Sequence, residues 1–248
     1  MSTRILLNCD MGESFGVWTM GDDAHAMPLV DQANLACGFH ASDPLTMQKT
    51  VALAVRHGAR IGAHPAYPDL VGFGRRHMVC SPEEVKALVL YQIGALDAFC
   101  RAAGTTVQYV KPHGALYNDL VRNDTLLNAV LEACLQFREG LPLMVLAKTD
   151  NTREQQLAEK VGVPLLREAF ADRAYMPDGQ LAPRRETGSV HHDPERILSQ
   201  AIAISRGDAF PGFDGQPMCL TADSLCVHGD NAESLAVLRR LRAALDAA

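Results

Sequence analysis

The feature that most constrains this chain is an alternation. Short apolar runs are each followed by a helical stretch that carries its own start and stop signals. In "SPEEVKALVLYQIGALDAFCRAAG", Ser81 is placed to cap, Pro82 takes a first-turn position where its missing N–H costs nothing, Glu84 stands three residues after the cap, and Gly104 ends the run. "SDPLTMQKTVALAVRHG" repeats the pattern with Ser42 or Asp43, then Pro44 and Gly58; "HDPERILSQAIAISRG" does so with Asp193, Pro194 and Gly207. Around these helices, Ile5–Cys9, Gln32–Ala36, Arg60–Ala63, Thr106–Val110, Leu143–Ala147, Val163–Arg167 and Ser224–Val227 read as strands. Alternation of this kind builds parallel βα units, because parallel neighbours need a crossover and a helix supplies it.

No linker-like or low-complexity stretch interrupts the rhythm, so residues 1–248 read as one α/β domain. A closed βα barrel and an open doubly wound sheet both fit. A nucleotide-binding sheet calls for GxGxxG after its first strand, however, whereas "CDMGESFG" lacks that spacing and sets Asp10 and Glu13 where a pyrophosphate would lie. The expected fold is therefore a seven-stranded βα barrel. The longest gaps, Pro65–Cys80 and Glu168–His192, are rich in Gly, Pro and charge and read as functional loops.

A net charge of -6 with scattered Lys and Arg offers no footprint for nucleic acid or anionic lipid. No apolar run approaches the ~18 residues of a membrane span, and the apolar centre of "MSTRILLNCDM" is too short for a secretion signal, so a cytoplasmic location is expected. Seven cysteines without a CxxC pair argue against both a disulfide framework and a zinc ribbon.

Side chains alternate along a strand, so parity separates the helix-covered face from the barrel interior. In the first strand Ile5, Leu7 and Cys9 share one face, and Asn8 and Asp10 the other. Asn34, the Gly62–His64 pair, the Tyr109–Lys111 pair followed by His113, and Ser224, Cys226, His228 and Asp230 show the same drift towards polarity at the C-terminal strand ends. In a βα barrel those ends form one mouth, where the loops converge. "CGFH", "AHP", "KPHG" and "VHGD" each set a His beside Gly or Pro, where the chain turns sharply. By contrast, His25 and His57 fall in helical patterns, His77 near a loop end, and His191 and His192 beside a helix cap, all consistent with packing or surface roles. Cys37 shares the parity of Leu35 and belongs under the helices, not in a thiol–His40 pair. Arg75 and Arg76 in "GFGRRH" are placed either to clamp a carboxylate or to stand in solvent.

Asp10, His40, His64, His113, His228 and Asp230 suffice chemically for a divalent metal, with Asp10, His40, His64 and His228 the first candidates, although no HxxxH or HExxH spacing points to one. The same groups also serve without metal: Asp10 or Glu13 as general base, Lys111 facing a developing oxyanion, a His as acid.

Six blocks in order, "LNCDMGESFG", "QANLACGFHASDP", "IGAHPAYPDLVGFGRR", "VKPHGALYN", "EAFADRAYMPDGQLAPR" and "LCVHGDN", resemble the LamB/YcsF family, the A subunits of bacterial ATP-dependent 5-oxoprolinase. The resemblance implies a seven-stranded barrel of the glycoside hydrolase/deacetylase type. It implies opening of the 5-oxoproline lactam to L-glutamate coupled to ATP hydrolysis, with subunits B and C as partners. No GxxxxGK[ST] or kinase motif set is present, so ATP, with its Mg²⁺, is expected to act through the complex. Against that activity, Asp10 activates water, Lys111 and His113 stabilise oxygen charge, and His64 orients groups or holds a metal. Asn8, Glu13, Asn34, His40, Asp172, His228 and Asp230 are expected around the substrate, with Arg75 or Arg173 on its carboxylate. Two further readings are a metal-dependent deacetylase or carbohydrate hydrolase, active alone, and a non-catalytic 5-oxoproline-binding subunit. Ala66 and Ser42 stand where the family commonly has Gly, and Met11 where it has Leu; a left-handed backbone at Ala66 would be mildly strained.

Overall fold

A computed structural model describes residues 4–227 and 232–246. Its strands are β1 (Leu6–Met11), β2 (Gln32–Ala36), β3 (Arg60–His64), β4 (Tyr109–Val110), β5 (Leu143–Leu146), β6 (Leu165–Phe170), the short pair β7 (Phe210–Pro211) and β8 (Pro217–Met218), and β9 (Ser224–Cys226). Among the described residues, β1 to β6 and β9 form a closed seven-stranded parallel barrel, with β9 hydrogen-bonded to both β6 and β1. β7 and β8 make a separate antiparallel pair. The surrounding helices are α1 (Asp23–Ala26), α2 (Pro44–His57), α3 (Pro82–Ala102), α4 (Gly114–Arg122), α5 (Asp124–Phe137), α6 (Thr152–Val161), α7 (Pro194–Arg206) and α8 (Ala232–Asp246). No helix among them is long and apolar enough to cross a membrane.

The start signals act as expected. Ser81 and Glu84 make both bonds of a capping box at α3, and Asp193 caps α7. At α2 the cap is Asp43, which accepts from the backbone N–H groups of Leu45 and Thr46, while Ser42 enters the left-handed region at φ 74°. The backbone strain anticipated at Ala66 thus sits at Ser42; Ala66 has an ordinary φ.

Two strands depart from the sequence reading. β4 is only Tyr109–Val110, because Asp97 accepts from Val107 N–H and Arg138 donates to Val107 C=O, so side chains take groups that a ladder would use. β6 starts after Pro164, which has no N–H to donate, and runs on to Phe170 instead of ending at Arg167. The consequence is that Glu168 is a strand residue facing into the barrel, not the first residue of a loop.

Parity sorts the faces. Leu7, Cys9, Leu35, Ile61 and Ala63 join the core under the helices. Inside the barrel lies a hydrogen-bonded layer, because buried polar groups must find partners. Asn8 Nδ2 donates to Ser224 Oγ (2.7 Å), Ser224 Oγ to Gln32 Oε1 (2.7 Å), Asn34 Nδ2 to Asn8 Oδ1 (2.8 Å), and Tyr109 OH to Asn34 Oδ1 (2.7 Å). Tyr109 fits only because its neighbour is Gly62: a Cβ there would lie 2.2 Å from the Tyr109 ring. The layer is the platform for what stands above it.

Candidate active site at the barrel mouth

Two groups of side chains rise from this platform. The first centres on Lys111, one residue beyond β4. Its Nζ lies 2.7 Å from Asp10 Oδ1, 2.8 Å from Glu168 Oε1 and 3.3 Å from Asn8 Oδ1. Burial alone would pull the Lys111 ammonium towards neutrality, but Asp10, Cys226 and Glu168 outweigh it and hold the group well above the ordinary lysine value. Lys111 is therefore a fixed positive charge and not a base. Asp10 Oδ1 also accepts from Asn34 Nδ2 (2.8 Å), leaving Oδ2 3.3 Å from His64 Nε2.

The second group is built from three histidines and Glu13. Gly12, at φ 71°, turns the chain after β1 and delivers Glu13; the loop after β2 brings in His40; β3 ends on His64; and His113 stands at the start of α4. His64 Nδ1 meets the Lys111 carbonyl at 2.7 Å, and His113 Nε2 meets the Phe73 carbonyl at 2.9 Å. The opposite ring nitrogens, His64 Nε2 and His113 Nδ1, face each other at 2.9 Å. His40 stacks on His113 with ring centroids 3.8 Å apart, and its Nε2 lies 3.1 Å from Glu13 Oε1. Burial holds both His40 and His113 well below the ordinary histidine value, so these rings are neutral near pH 7.

The loop after β3 is shaped to this purpose. Phe73 carries a left-handed φ of 55°, an unusual cost for an aromatic residue, and thereby turns its carbonyl to His113. Gly74 follows at φ 63°, and a Cβ on it would press His40 Cβ at 2.9 Å.

A cavity of about 440 Å³ opens above both groups, within the usual range for a small-molecule site. Asp10, Glu13, His64, Lys111 and His113 line it, so the mouth brings together all four residues expected to be catalytic. Arg75 lines its wall, with its guanidinium over the Phe73 ring at 5.0 Å. Arg76 turns away to pair with Asp69.

Other expectations need correction. Asn8 and Asn34 are fully buried in the platform and do not line the cavity; they position Asp10 and Lys111. His40 is fully buried behind His113 and away from the cavity. Asp172 does not line the cavity either, and its backbone carbonyl accepts from His191 N–H. Arg173 does line it, but its guanidinium donates to the carbonyls of Ser189 and Ala182, so it braces the wall. His113 has committed its N–H to Phe73, which removes it as a donor to a substrate oxygen. His191 is buried against Gln200 instead of lying at the surface. Cys37 donates to Leu35 C=O, and burial pushes its thiol up to about 12, which rules out a thiolate nucleophile. His228 and Asp230 lie outside the described residues.

Among the described residues, Glu13, His40, His64 and His113 each offer one possible ligand atom, all within 4.8 Å of one another; His40 and His64 are among the expected metal candidates, and His228 lies outside the described residues. Asp10 adjoins this set through His64. The residue missed outright is Glu168; its signal was the same drift to polarity at a strand end, hidden by ending that strand at Arg167, three residues early.

The LamB/YcsF family model matches residues 5–248. The chain is 76% identical over 243 residues to a 5-oxoprolinase A subunit of Pseudomonas aeruginosa, covering 98% of this chain and 97% of that protein. It is 59% identical to the 5-oxoprolinase A subunit of Chromohalobacter salexigens, across 97% and 96% of the two chains. The lactam utilization protein of Thermus thermophilus superposes with a TM-score of 0.92 at 45% identity, covering 99% of this chain and 97% of that one.

Proposed function

The chain belongs to the LamB/YcsF family, and from that premise we propose that it is the A subunit of an ATP-dependent 5-oxoprolinase, a single barrel unit working in the cytoplasm with subunits B and C. The observation that carries this reading is one ammonium, Lys111, fixed between two carboxylates at the floor of a small-molecule cavity, in a chain matched nearly end to end by proteins of that name.

A five-membered lactam is a poor electrophile because its nitrogen feeds electron density into the carbonyl. Transfer of a phosphoryl group from ATP, as its Mg²⁺ complex, to the amide oxygen removes that obstacle and releases ADP. Water then adds to the carbon, the C–N bond breaks as nitrogen takes a proton, and a second water hydrolyses the resulting acyl phosphate to glutamate and phosphate. The chain has no recognisable phosphate-binding loop, so nucleotide handling depends on the partner subunits. Asp10, held by Lys111 and Asn34 with its Oδ2 towards His64, takes the proton from water. Lys111 stabilises the negative charge that gathers on oxygen. Arg75, on the exposed wall, binds the substrate carboxylate.

The test is formation of glutamate and ADP from 5-oxoproline and ATP, comparing this chain alone with the chain plus candidate subunits B and C. Coupled formation only in the mixture is expected; robust lactam opening by the chain without ATP would sink the reading. In the mixture, Asp10→Asn should lower glutamate production by about 10²–10⁴-fold with assembly intact. Wild-type output from that variant would remove Asp10 as the base.

A further inference from the structure

We propose that Arg122 and Arg184 form a second anion site at the open side of the cavity, for a phosphoryl group. The anion site stands on the arginines themselves; its assignment to a phosphoryl group rests on the function proposed above.

The charges of the cavity lining are sorted by depth. Asp10, Glu13 and Lys111 line its floor, and Glu168 lies fully buried against Lys111. Arg75, Arg122 and Arg184 line it as exposed residues, so their guanidinium groups stand at its open side. Arg122 occupies the last turn of α4, where the helix dipole favours a cation, and Arg184 belongs to the loop between β6 and α7. Among the described residues neither makes an ion pair or a hydrogen bond. Asp119, the acid of α4 that also lines the cavity, is engaged by Tyr67 OH and His77 Nδ1, each 2.8 Å from Oδ2. Arg173 braces the wall nearby, and the charge of Arg184 adds to burial in lowering it below the ordinary arginine value. Cations gathered at one opening without matching carboxylates raise the potential there, and in a chain of net charge -6 that local field runs against the overall sign.

That field calls for an anion with more charge than one carboxylate. The substrate carboxylate is met by Arg75, whose guanidinium is set over the Phe73 ring. A cavity of about 440 Å³ takes more than a single five-membered ring with one carboxylate. The other anion in the activation step is the phosphoryl group, and a guanidinium fork matches its oxygens in pairs. Its place follows from repulsion: Asp10, Glu13 and Glu168 keep a phosphoryl group off the floor, so its charge is met at the open side.

Inorganic phosphate, pyrophosphate and ATP are the probes, titrated into the full chain alone by isothermal calorimetry, without any activity assay. Saturable binding that weakens with added salt is expected. Arg122→Gln and Arg184→Gln should each weaken it by about tenfold at low ionic strength, the loss of a hydrogen bond to a charged group. Arg56→Gln and Arg206→Gln, which change exposed arginines in the last turns of α2 and α7, should leave it unchanged. If the phosphoryl group arrives on the nucleotide, ATP binds more tightly than ADP and the Arg122 and Arg184 variants erase that difference. If it arrives already on the lactam, ATP and ADP bind no better than inorganic phosphate. In the chain with subunits B and C the same variants then let the phosphorylated lactam escape: water attacks phosphorus, the P–O bond to the amide oxygen breaks, lactam and phosphate return, and ADP exceeds glutamate. Absence of saturable binding for all the probes, affinities unchanged in both variants, or an equal loss in the Arg56 and Arg206 variants would overturn the site. Failure of the wild-type mixture to form glutamate would remove the functional reading, while the titration of the chain alone still decides the anion site.

Discussion

The two halves of the barrel mouth stand on one platform and are organised by different means. Around Lys111 a positive charge meets Asp10, Glu168 and the Asn8 oxygen, so a donor faces each acceptor. Around His113 the contacts run ring to ring: His64 Nε2 and His113 Nδ1 face each other at 2.9 Å, with Glu13 Oε1 3.6 Å from His113 Nδ1 and Asp10 Oδ2 3.3 Å from His64 Nε2. The first half offers a preorganised field set by a fixed charge. The second is aimed by the backbone, through the carbonyls of Lys111 and Phe73. Asp10 belongs to both, through Oδ1 to lysine and through Oδ2 to histidine, so whatever enters the second half acts on the first.

The largest effect should come from removing the fixed charge. Lys111→Met leaves two carboxylates facing each other without their cation; breaking a buried pair in this way costs about 3–5 kcal/mol, which denaturant unfolding will read. Glutamate production in the complex should fall at least as steeply as for the loss of an oxyanion donor, about 10²–10³-fold. A variant of undiminished stability would show that Lys111 does not balance the site. Next in size is a change confined to the histidine half. Gly74→Ala places a Cβ 2.9 Å from His40 Cβ at φ 63°, and should cost roughly 2 kcal/mol while lowering glutamate production in the complex. Unaltered glutamate production with the expected loss of stability would separate the loop from the chemistry.

The residues of both halves were legible in the sequence, Glu168 excepted; the orientation of the histidine half was not. Strand parity is a property of single residues, so Asn8, Asp10, Asn34, His64 and Lys111 declared their direction from alternation alone. Glu168 escaped because "REAF" runs into "ADRAYMPDG", and polarity there reads equally well as strand end or loop start. The histidine half depends on where two carbonyls point, those of Lys111 and Phe73, and backbone direction has no letter in the sequence. Asp172 and Arg173 show the same limit. They are adjacent and both polar, yet only Arg173 reaches the cavity wall, and its donors are taken by backbone carbonyls.

A smaller effect tests the hinge that delivers Glu13. Gly12 N–H donates to Asp23 Oδ2 at 2.9 Å, and burial pushes the Asp23 carboxyl up to about 6 despite that bond. A folded value above the unfolded one means that Asp23 favours the folded state most fully below about pH 4, and that this contribution is lost as pH rises through about 6. Asp23 is half-buried, so solvent screening keeps the change to about 1–2 kcal/mol. Asp23→Asn keeps the acceptor for Gly12 and should flatten this part of the stability–pH curve. Equal slopes for both proteins between pH 4 and 6 would place the cause elsewhere.

The smallest effect separates strain that serves the site from strain that does not. Ser42 and Phe73 both hold left-handed backbones beside the histidine cluster, but only Phe73 is tied to it by a hydrogen bond, through its carbonyl to His113. Ser42 N–H donates to Ser14 C=O, a bond that glycine keeps, and its hydroxyl makes only a long 3.5 Å contact with Asp43 C=O. Ser42→Gly removes a Cβ penalty of about 1 kcal/mol and returns part of it as unfolded-state entropy, for a net gain near ~0.5 kcal/mol. Unfolding midpoints should rise slightly while glutamate production in the complex stays fixed. A gain in stability accompanied by lower glutamate production would mean that the Ser42 turn helps to aim His40, and would extend the histidine half of the mouth back to the start of α2.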